Sequence, residues 1–354
     1  MKGSLILNRI IYLDTSSTAI PFIHVSDYNY NWFNPNNHYA IDEILEFTKC
    51  EEEVKESIGA KSGKVIFGGN ASWFFEKLYN NYRDFWFCGF YEHDCVYKNG
   101  IEINFNEIET CDDEIYCHQF VNNVTGEIFP VEEIGKIIKD ENGYFICDAT
   151  AGIGKAIIPD SIDEWCDVFV SSSHKLNVDN KQIGFAWISD RFANWFFSEK
   201  SVVNGYGFVD GTPDLACAKA TTEAVSIACN NVKEYNRHYN NLAYYLEIQL
   251  NKNNIRHNYV HREKYTSAIN AIVLNDIKAD ALCNYLAAVH NVYISPGHSA
   301  CEENSDYRVL KEYGLTQEEC ESTIRVSFGH NTTKEDIDYL VNGIVEFKKE
   351  FMND

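Results

Sequence analysis

Along the chain, apolar runs of five or six residues alternate with longer stretches whose apolar positions recur every three or four residues. "GKVIFGG" is one such run closed by glycines. "NASWFFEKLYNNYRDF" follows it with helical spacing, so a strand, a tight turn and a helix are expected. "EIYCHQFVNN" then reads as a strand, "PVEEIGKIIKDEN" as a helix, "YFICDA" as a strand, "DSIDEW" as a short helix and "DVFVSS" as a strand. This β-α-β alternation predicts a mainly parallel sheet covered by helices. From about Tyr206 to Ile255 the pattern is almost wholly helical and reads as a hinge region between lobes. The last third gives strand "SAINAIVLN", helix "ADALCNYLAAVHN", strands "VYISPG" and "TIRVSFG", and helix "TKEDIDYLVNGIVEFKKEF", a smaller α+β lobe. The apolar start "MKGSLILNRIIYLDTSS" is interrupted by Asn8 and Arg9 and reads as an early strand, not a signal peptide.

A length of 354 residues exceeds what one compact core usually holds, so two lobes are expected. Lys+Arg at 30 against Asp+Glu at 53 leave a formal charge of -23, which repels phosphate backbones and anionic lipid headgroups alike. Nucleic acid and membrane are therefore poor partners, and no apolar run approaches the length of a bilayer span. None of the 12 cysteines forms a C-x-x-C pair, which leaves a zinc ribbon or thioredoxin-like motif unsupported and no metal site expected. They read as reduced thiols of a cytoplasmic protein, with Cys147, Cys217 and Cys229 buried as small hydrophobes.

Two residues change this picture. Asp148 closes the run "YFIC" and Lys175 follows "DVFVSSSH", so both arrive at the carboxyl ends of strands, where open α/β sheets bind ligands. A lysine amine forms a Schiff base with an aldehyde, and a carboxylate beside a pyridine nitrogen keeps that ring protonated as an electron sink. "GGNAS", with Asn70, Ala71 and Ser72 at a helix start, offers backbone N–H groups to a phosphate. Aspartate, lysine and phosphate turn together describe pyridoxal phosphate.

In these segments, nearly end to end, the chain resembles the class V branch of the fold type I pyridoxal phosphate enzymes, and within it most the cysteine desulfurases. "IYLDTSSTAIP" is similar to the family's "YLD-N-[SA]-A-T-T-P", and "FGGNASWFFEKL" to its phosphate turn "SGATESNN". "YEHDCV" resembles "EH-x-[AS]-V", which implies that His93 lies over the cofactor ring, where it could also shuttle a proton. "FVNNVTGEIFPVEEI" resembles "N-x-x-G-x-x-x-P", which gives Asn123 to the ring hydroxyl and the substrate. "CDATAGIGK" and "SSSHK" resemble the segments that put Asp148 at the pyridine nitrogen, Ser172 and His174 at the phosphate and Lys175 at the Schiff base. "DGTPD" implies a Thr212 that reaches the phosphate across a homodimer interface. "YISPGHSAC" makes Cys301 the sulfur-accepting nucleophile, and "TIRVSFGHNTTKEDID" makes Arg325 the carboxylate-binding fork. The implied organisation is a large cofactor-binding domain over 16–235 and a small domain from 1–15 and 236–354 that carries the Cys301 loop and Arg325.

The chain departs from the family pattern in several places. Ala151 stands where the family has glutamine, and the long "LNVDNKQIG" replaces a short glycine-rich turn after Lys175, with Lys181 as the rival lysine. Val209 or Asp210 stands where an arginine is expected. Cys301 needs help to ionise, for which His298 could act as a base or positive charge, whereas Glu302 opposes it. The segment after it, "EENSDYRVLKEYGL", reads as a mobile loop running into a helix. The implied activity is conversion of L-cysteine to L-alanine with a persulfide on Cys301, passed to an acceptor protein for iron-sulfur assembly or thio-modification. The alternative is a class V aminotransferase, lyase or epimerase acting on another amino acid, with Cys301 incidental.

Overall fold

The computed structural model describes residues 9–28, 39, 41–81, 86–105, 113–196, 214–260, 263–297 and 307–352. The chain divides into two units, one built from Thr18–Asn122 and Ile128–Glu234, the other from Met1–Ser17, Asn123–Glu127 and Tyr235–Asp354.

The first unit carries a seven-stranded sheet of β1 (Lys64–Gly68), β2 (Trp86–Cys88), β3 (Ile101–Glu102), β4 (Ile115–Gln119), β5 (Tyr144–Asp148), β6 (Val168–Ser172) and β7 (Gly184–Ile188), in the spatial order β1-β7-β6-β5-β4-β2-β3. Neighbours from β6 to β3 pair in parallel, while β7 runs antiparallel to both β6 and β1. The other six strands thus share one direction, and their carboxyl ends form one rim. Strands β4 to β7 are buried at every position, as expected when helices cover both faces. Helix α1 (Ile41–Ile58) precedes β1. Helix α2 (Ala71–Asn81) lays Phe74, Phe75 and Leu78 into a core with Ile146, Val170 and Ala186 on one face. The short α3 (Asp94–Tyr97) adds Val96 to the same core. Helix α4 (Val131–Asp140) buries Val131, Ile134 and Ile138, an i, i+3, i+7 stripe. A Cβ at its Gly135 would come within 1.9 Å of the Trp165 carbonyl, so glycine permits that close approach.

In the second unit, β8 (His257–Tyr259), β9 (Ile269–Leu274), β10 (Ser295–Pro296) and β11 (Thr323–Ser327) form an antiparallel sheet in the order β10-β11-β9-β8. The expected strand "VYISPG" is two pieces. Val292–Tyr293 pairs in parallel with Ile11–Tyr12, and Ser295–Pro296 pairs with β11 as an edge strand, where a proline is tolerated. Helix α5 (Leu215–Lys252) starts in the first unit, and its residues from Tyr235 on belong to the second. Helix α6 (Lys334–Phe351) opens on a capping box of Thr333 and Asp336 and buries Ile337, Leu340, Ile344 and Phe347.

All ten described cysteines are free thiols. Cys147 is fully buried as expected, but Cys217 and Cys229 are only half-buried, because the long α5 turns part of that face to solvent. Burial pushes the Cys50, Cys117, Cys147 and Cys320 thiols up, and lifts Cys95, Cys217, Cys229 and Cys283 to about 12. Among the described residues, no helix is long and apolar enough to cross a membrane, and no three His, Cys, Asp or Glu side chains cluster to hold a metal ion.

Candidate active site

At the carboxyl rim of the large sheet, Gly68, Gly184 and Ser172 lie in one row across β1, β7 and β6. A side chain at Gly184 would meet the Ser171 carbonyl at 2.4 Å and the Gly69 carbonyl at 2.9 Å. Its absence lets the turn after β1 settle against the end of β6. The Asn70 side chain caps α2 by accepting from the Trp73 N–H at 3.1 Å. Its amide reaches across to the Lys181 carbonyl at 3.2 Å, which ties the long loop after Lys175 to this turn. Ser172 Oγ accepts from the Ala71 N–H at 2.9 Å, and its own proton remains available to an oxygen placed outside.

Beyond Ser172 the chain makes a 3-10 turn, Ser173–Leu176, that carries His174 and Lys175. Ser173 is hydrogen-bonded to Thr221 of α5 at 2.8 Å, and the His174 and Asn177 carbonyls accept from the N–H groups of Ala19, Phe22 and Ile23. Asn177, with φ +70°, ends the turn. Lys175 is half-buried on this pinned segment, whereas Lys181 is exposed. His174 Nδ1 is buried without a hydrogen-bond partner. Burial holds the ring pKa down to about 4, and the ammonium groups of Lys175, Lys181 and Lys155 push it the same way.

Asp148, 6% exposed, ends β5 and lies in register with Gln119 and Val170. Its Oδ1 accepts from the Thr150 N–H at 2.9 Å. Thr150 Oγ1, two residues on, and Ser171 Oγ, next to the Val170 that pairs with Asp148, are buried without partners. Ala151 is buried where the longer glutamine was expected. Lys155, which the sequence reading did not single out, is 6% exposed, and burial lowers its amine to about 8. Its only sequence signal was an apolar-flanked lysine in "GIGKAII". His93 precedes α3 and is exposed, with Nδ1 against Cys95.

Arg325 belongs to the second unit, as does Asn123. Its Nη2 donates to Asp14 Oδ1 at 2.8 Å, Ser17 Oγ at 2.8 Å and Ser295 Oγ at 3.2 Å, and Nη1 to the Asn123 carbonyl at 3.1 Å. Arg325 is 3% exposed, and its Nε is buried without a partner. Asp14, which sequence reasoning passed over inside "YLDTSS", thus balances the charge of Arg325. Thr212, His298, Cys301 and Glu302 lie outside the described residues, as do Val209 and Asp210.

The rim residues fit pyridoxal phosphate. Thr150, Ser171 and His174 bury polar atoms without a protein partner, and three ammonium groups bear on His174, a donor set that suits an anion. The glycine row leaves room for it, and Asp148 supplies the carboxylate that a pyridinium requires.

Comparison with known proteins agrees. A cysteine desulfurase IscS of Clostridium botulinum (strain Kyoto / Type A2) is 23% identical over 97% of this chain and 96% of its own length. That of Rickettsia prowazekii (strain Madrid E) is 27% identical over 82% and 77%. Among solved structures, a NifS-like protein superposes with a TM-score of 0.79 at 20% identity, covering 97% of this chain and 100% of that one. A ureidoglycine-glyoxylate aminotransferase from Bacillus subtilis gives 0.69 at 12% identity, covering 97% and 93%. The architecture is that of the fold type I pyridoxal phosphate enzymes. The aminotransferase class-V model matches residues 101–340, most of the chain, including Asp148, His174, Lys175 and Arg325. The chain belongs to the class-V aminotransferase family, whose members are pyridoxal phosphate-dependent enzymes.

Proposed function

We propose that the chain is a cysteine desulfurase that converts L-cysteine to L-alanine and retains the sulfur as a persulfide on Cys301. The observation that carries this reading is the carboxyl rim, where Lys175, Asp148 and an anion-seeking His174 are held on one sheet edge. Near full-length similarity to proteins named cysteine desulfurase supports the choice within the family.

In this reading Ser172, His174 and the Asn70–Ser72 turn hold the cofactor phosphate. Asp148 faces the ring nitrogen, Asn123 the ring hydroxyl, and His93 lies over the ring. When bound, the cofactor supplies an electron sink for the substrate's α-carbon. The Lys175 amine holds the cofactor and, once displaced by substrate, moves protons at the α-carbon. Arg325 orients the substrate through its carboxylate. The cysteine C–S bond breaks as the Cys301 sulfur bonds to the departing sulfur, and a proton returned to carbon gives alanine. Cysteine and a thiol thus become alanine and a persulfide, with atoms and electrons balanced. The persulfide passes to an acceptor protein, iron-sulfur assembly being the use implied.

The same reading makes the protein a cytoplasmic homodimer with Thr212 reaching the partner's phosphate. It takes residues 16–235 as the cofactor domain and 1–15 with 236–354 as the small domain, although Asn123–Glu127 pack with the second unit.

The test is incubation with L-cysteine. Alanine release with a mass gain of one sulfur on Cys301, both lost in Cys301→Ser, is the expected result. Buried Ala151 in place of glutamine favours a second reading, an aminotransferase, lyase or epimerase on another amino acid. A cofactor absorbance band with neither alanine nor persulfide would move the assignment there.

A further inference from the structure

His93 Nδ1 faces two groups of the same residue, the Cys95 backbone N–H at 3.3 Å and the Cys95 sulfur at 3.1 Å. A backbone N–H can only donate, so Nδ1 is the nitrogen that carries the lone pair, and a neutral ring then keeps its proton on Nε2. This is a helix cap made by an imidazole, because His93 is the residue before α3 and accepts from the second residue of its first turn.

The sulfur completes the arrangement. A thiolate at 3.1 Å would set a second lone pair against that of Nδ1, whereas a thiol can donate to it. Burial first, then the charge of Asp148, push the Cys95 thiol up to about 12, while a hydrogen bond from the Ser72 side chain pulls the other way. Glu92 and Asp94, which flank His93 in the chain, also raise it. The sulfur therefore stays protonated, which suits a donor and disqualifies a nucleophile.

We propose that Cys95 is a positioning residue for His93: its thiol and its backbone N–H together fix the imidazole as the neutral tautomer with its proton on Nε2. His93 then presents its Nε2–H as a hydrogen-bond donor, with Nδ1 engaged by Cys95 and closed to proton exchange. Ser72, on the phosphate turn, bears on the same sulfur, so Cys95 also links that turn to the imidazole. The family pattern that "YEHDCV" resembles has alanine or serine at this position, so the thiol is a feature of this chain. The functional consequence rests on the reading that His93 faces the cofactor; the tautomer does not.

The experiment is long-range proton-nitrogen NMR of the cofactor-free protein labelled with 15N-histidine, with His93 assigned by its loss in His93→Gln. The wild type should show a bare Nδ1 and a protonated Nε2, and Cys95→Ser, whose hydroxyl also donates, should keep that pattern. Cys95→Ala should shift the Nδ1 signal toward the protonated value as the other tautomer becomes populated. A wild-type Nδ1 that carries the proton, or a Cys95→Ala spectrum identical to wild type, overturns the proposal. Subsequent addition of pyridoxal phosphate separates the two readings, since a missing absorbance band would count against the functional assignment and leave the tautomer result standing.

Discussion

The two rims of the large sheet handle buried charge in opposite ways. At the amino rim, Asp167 is completely buried, yet both its oxygens are bonded. Oδ1 accepts from Ser189 Oγ at 2.9 Å and Lys139 Nζ at 3.2 Å, and Oδ2 from the Phe145 N–H at 3.1 Å, with Arg191 at 3.5 Å. At the carboxyl rim, Thr150, Ser171 and His174 bury polar atoms with no partner, and the ammonium groups of Lys175, Lys181 and Lys155 bear on His174. A satisfied network holds a fold in one arrangement, whereas buried polar atoms without a protein partner leave donors and acceptors for a ligand. On the proposed function, binding draws on the carboxyl rim, while the Asp167 network holds the amino rim.

The contrast can be tested from both ends. Lys175→Ala should have the largest effect, a loss of turnover on the order of 10⁴-fold together with the cofactor's lysine-dependent absorbance band, while the unfolding midpoint in urea stays near wild type. Asp167→Ala should do the reverse. Emptying the fully buried Asp167 position of its carboxylate, on which Ser189, Lys139 and the Phe145 N–H converge, should cost about 3–5 kcal/mol of stability, read from denaturant unfolding, with the cofactor band intact in the folded fraction. If the two variants lose stability alike, the division between rims is wrong.

Acidity sharpens the comparison. His174 and the buried His118, also near 4, bind protons more readily unfolded than folded. Their contribution is undiminished above about pH 6.5 and is lost as pH falls from there toward about 4. An anion at the carboxyl rim would favour protonated His174 and flatten its part of that slope. Urea titrations at several pH values, with and without inorganic phosphate and repeated in His174→Asn, should therefore show a phosphate-dependent component that the variant lacks.

The smallest effect is expected at Thr150→Val. Removal of a buried hydroxyl without a partner should leave the cofactor-free protein as stable as wild type or up to about 1 kcal/mol more so. A marked loss would mean that the hydroxyl is satisfied after all.

Much of this was legible in the sequence. The strands ending at Asp148 and Ser172 were fixed by short apolar runs with polar closers, and parallel burial on both faces follows from their lack of alternation. Lys175 was legible because its neighbours Ser172 and His174 travel with it. The partners that neutralise or orient were not. Asp14 meets Arg325 from 311 residues away, and no local pattern announces such a pairing. Lys155 looks like any lysine in an apolar-flanked turn until the fold closes around it. The split of "VYISPG" was equally hidden, because each half pairs with a strand distant in sequence.

The upward-shifted thiols bear on how this protein can be labelled. A scaffold in which nine of the ten described cysteines resist ionisation at neutral pH presents little background to an electrophile. Rapid alkylation of the native protein would then report on a thiol that the fold has activated, and a single dose of a fluorescent maleimide becomes a count of chemistry in place of a count of cysteines.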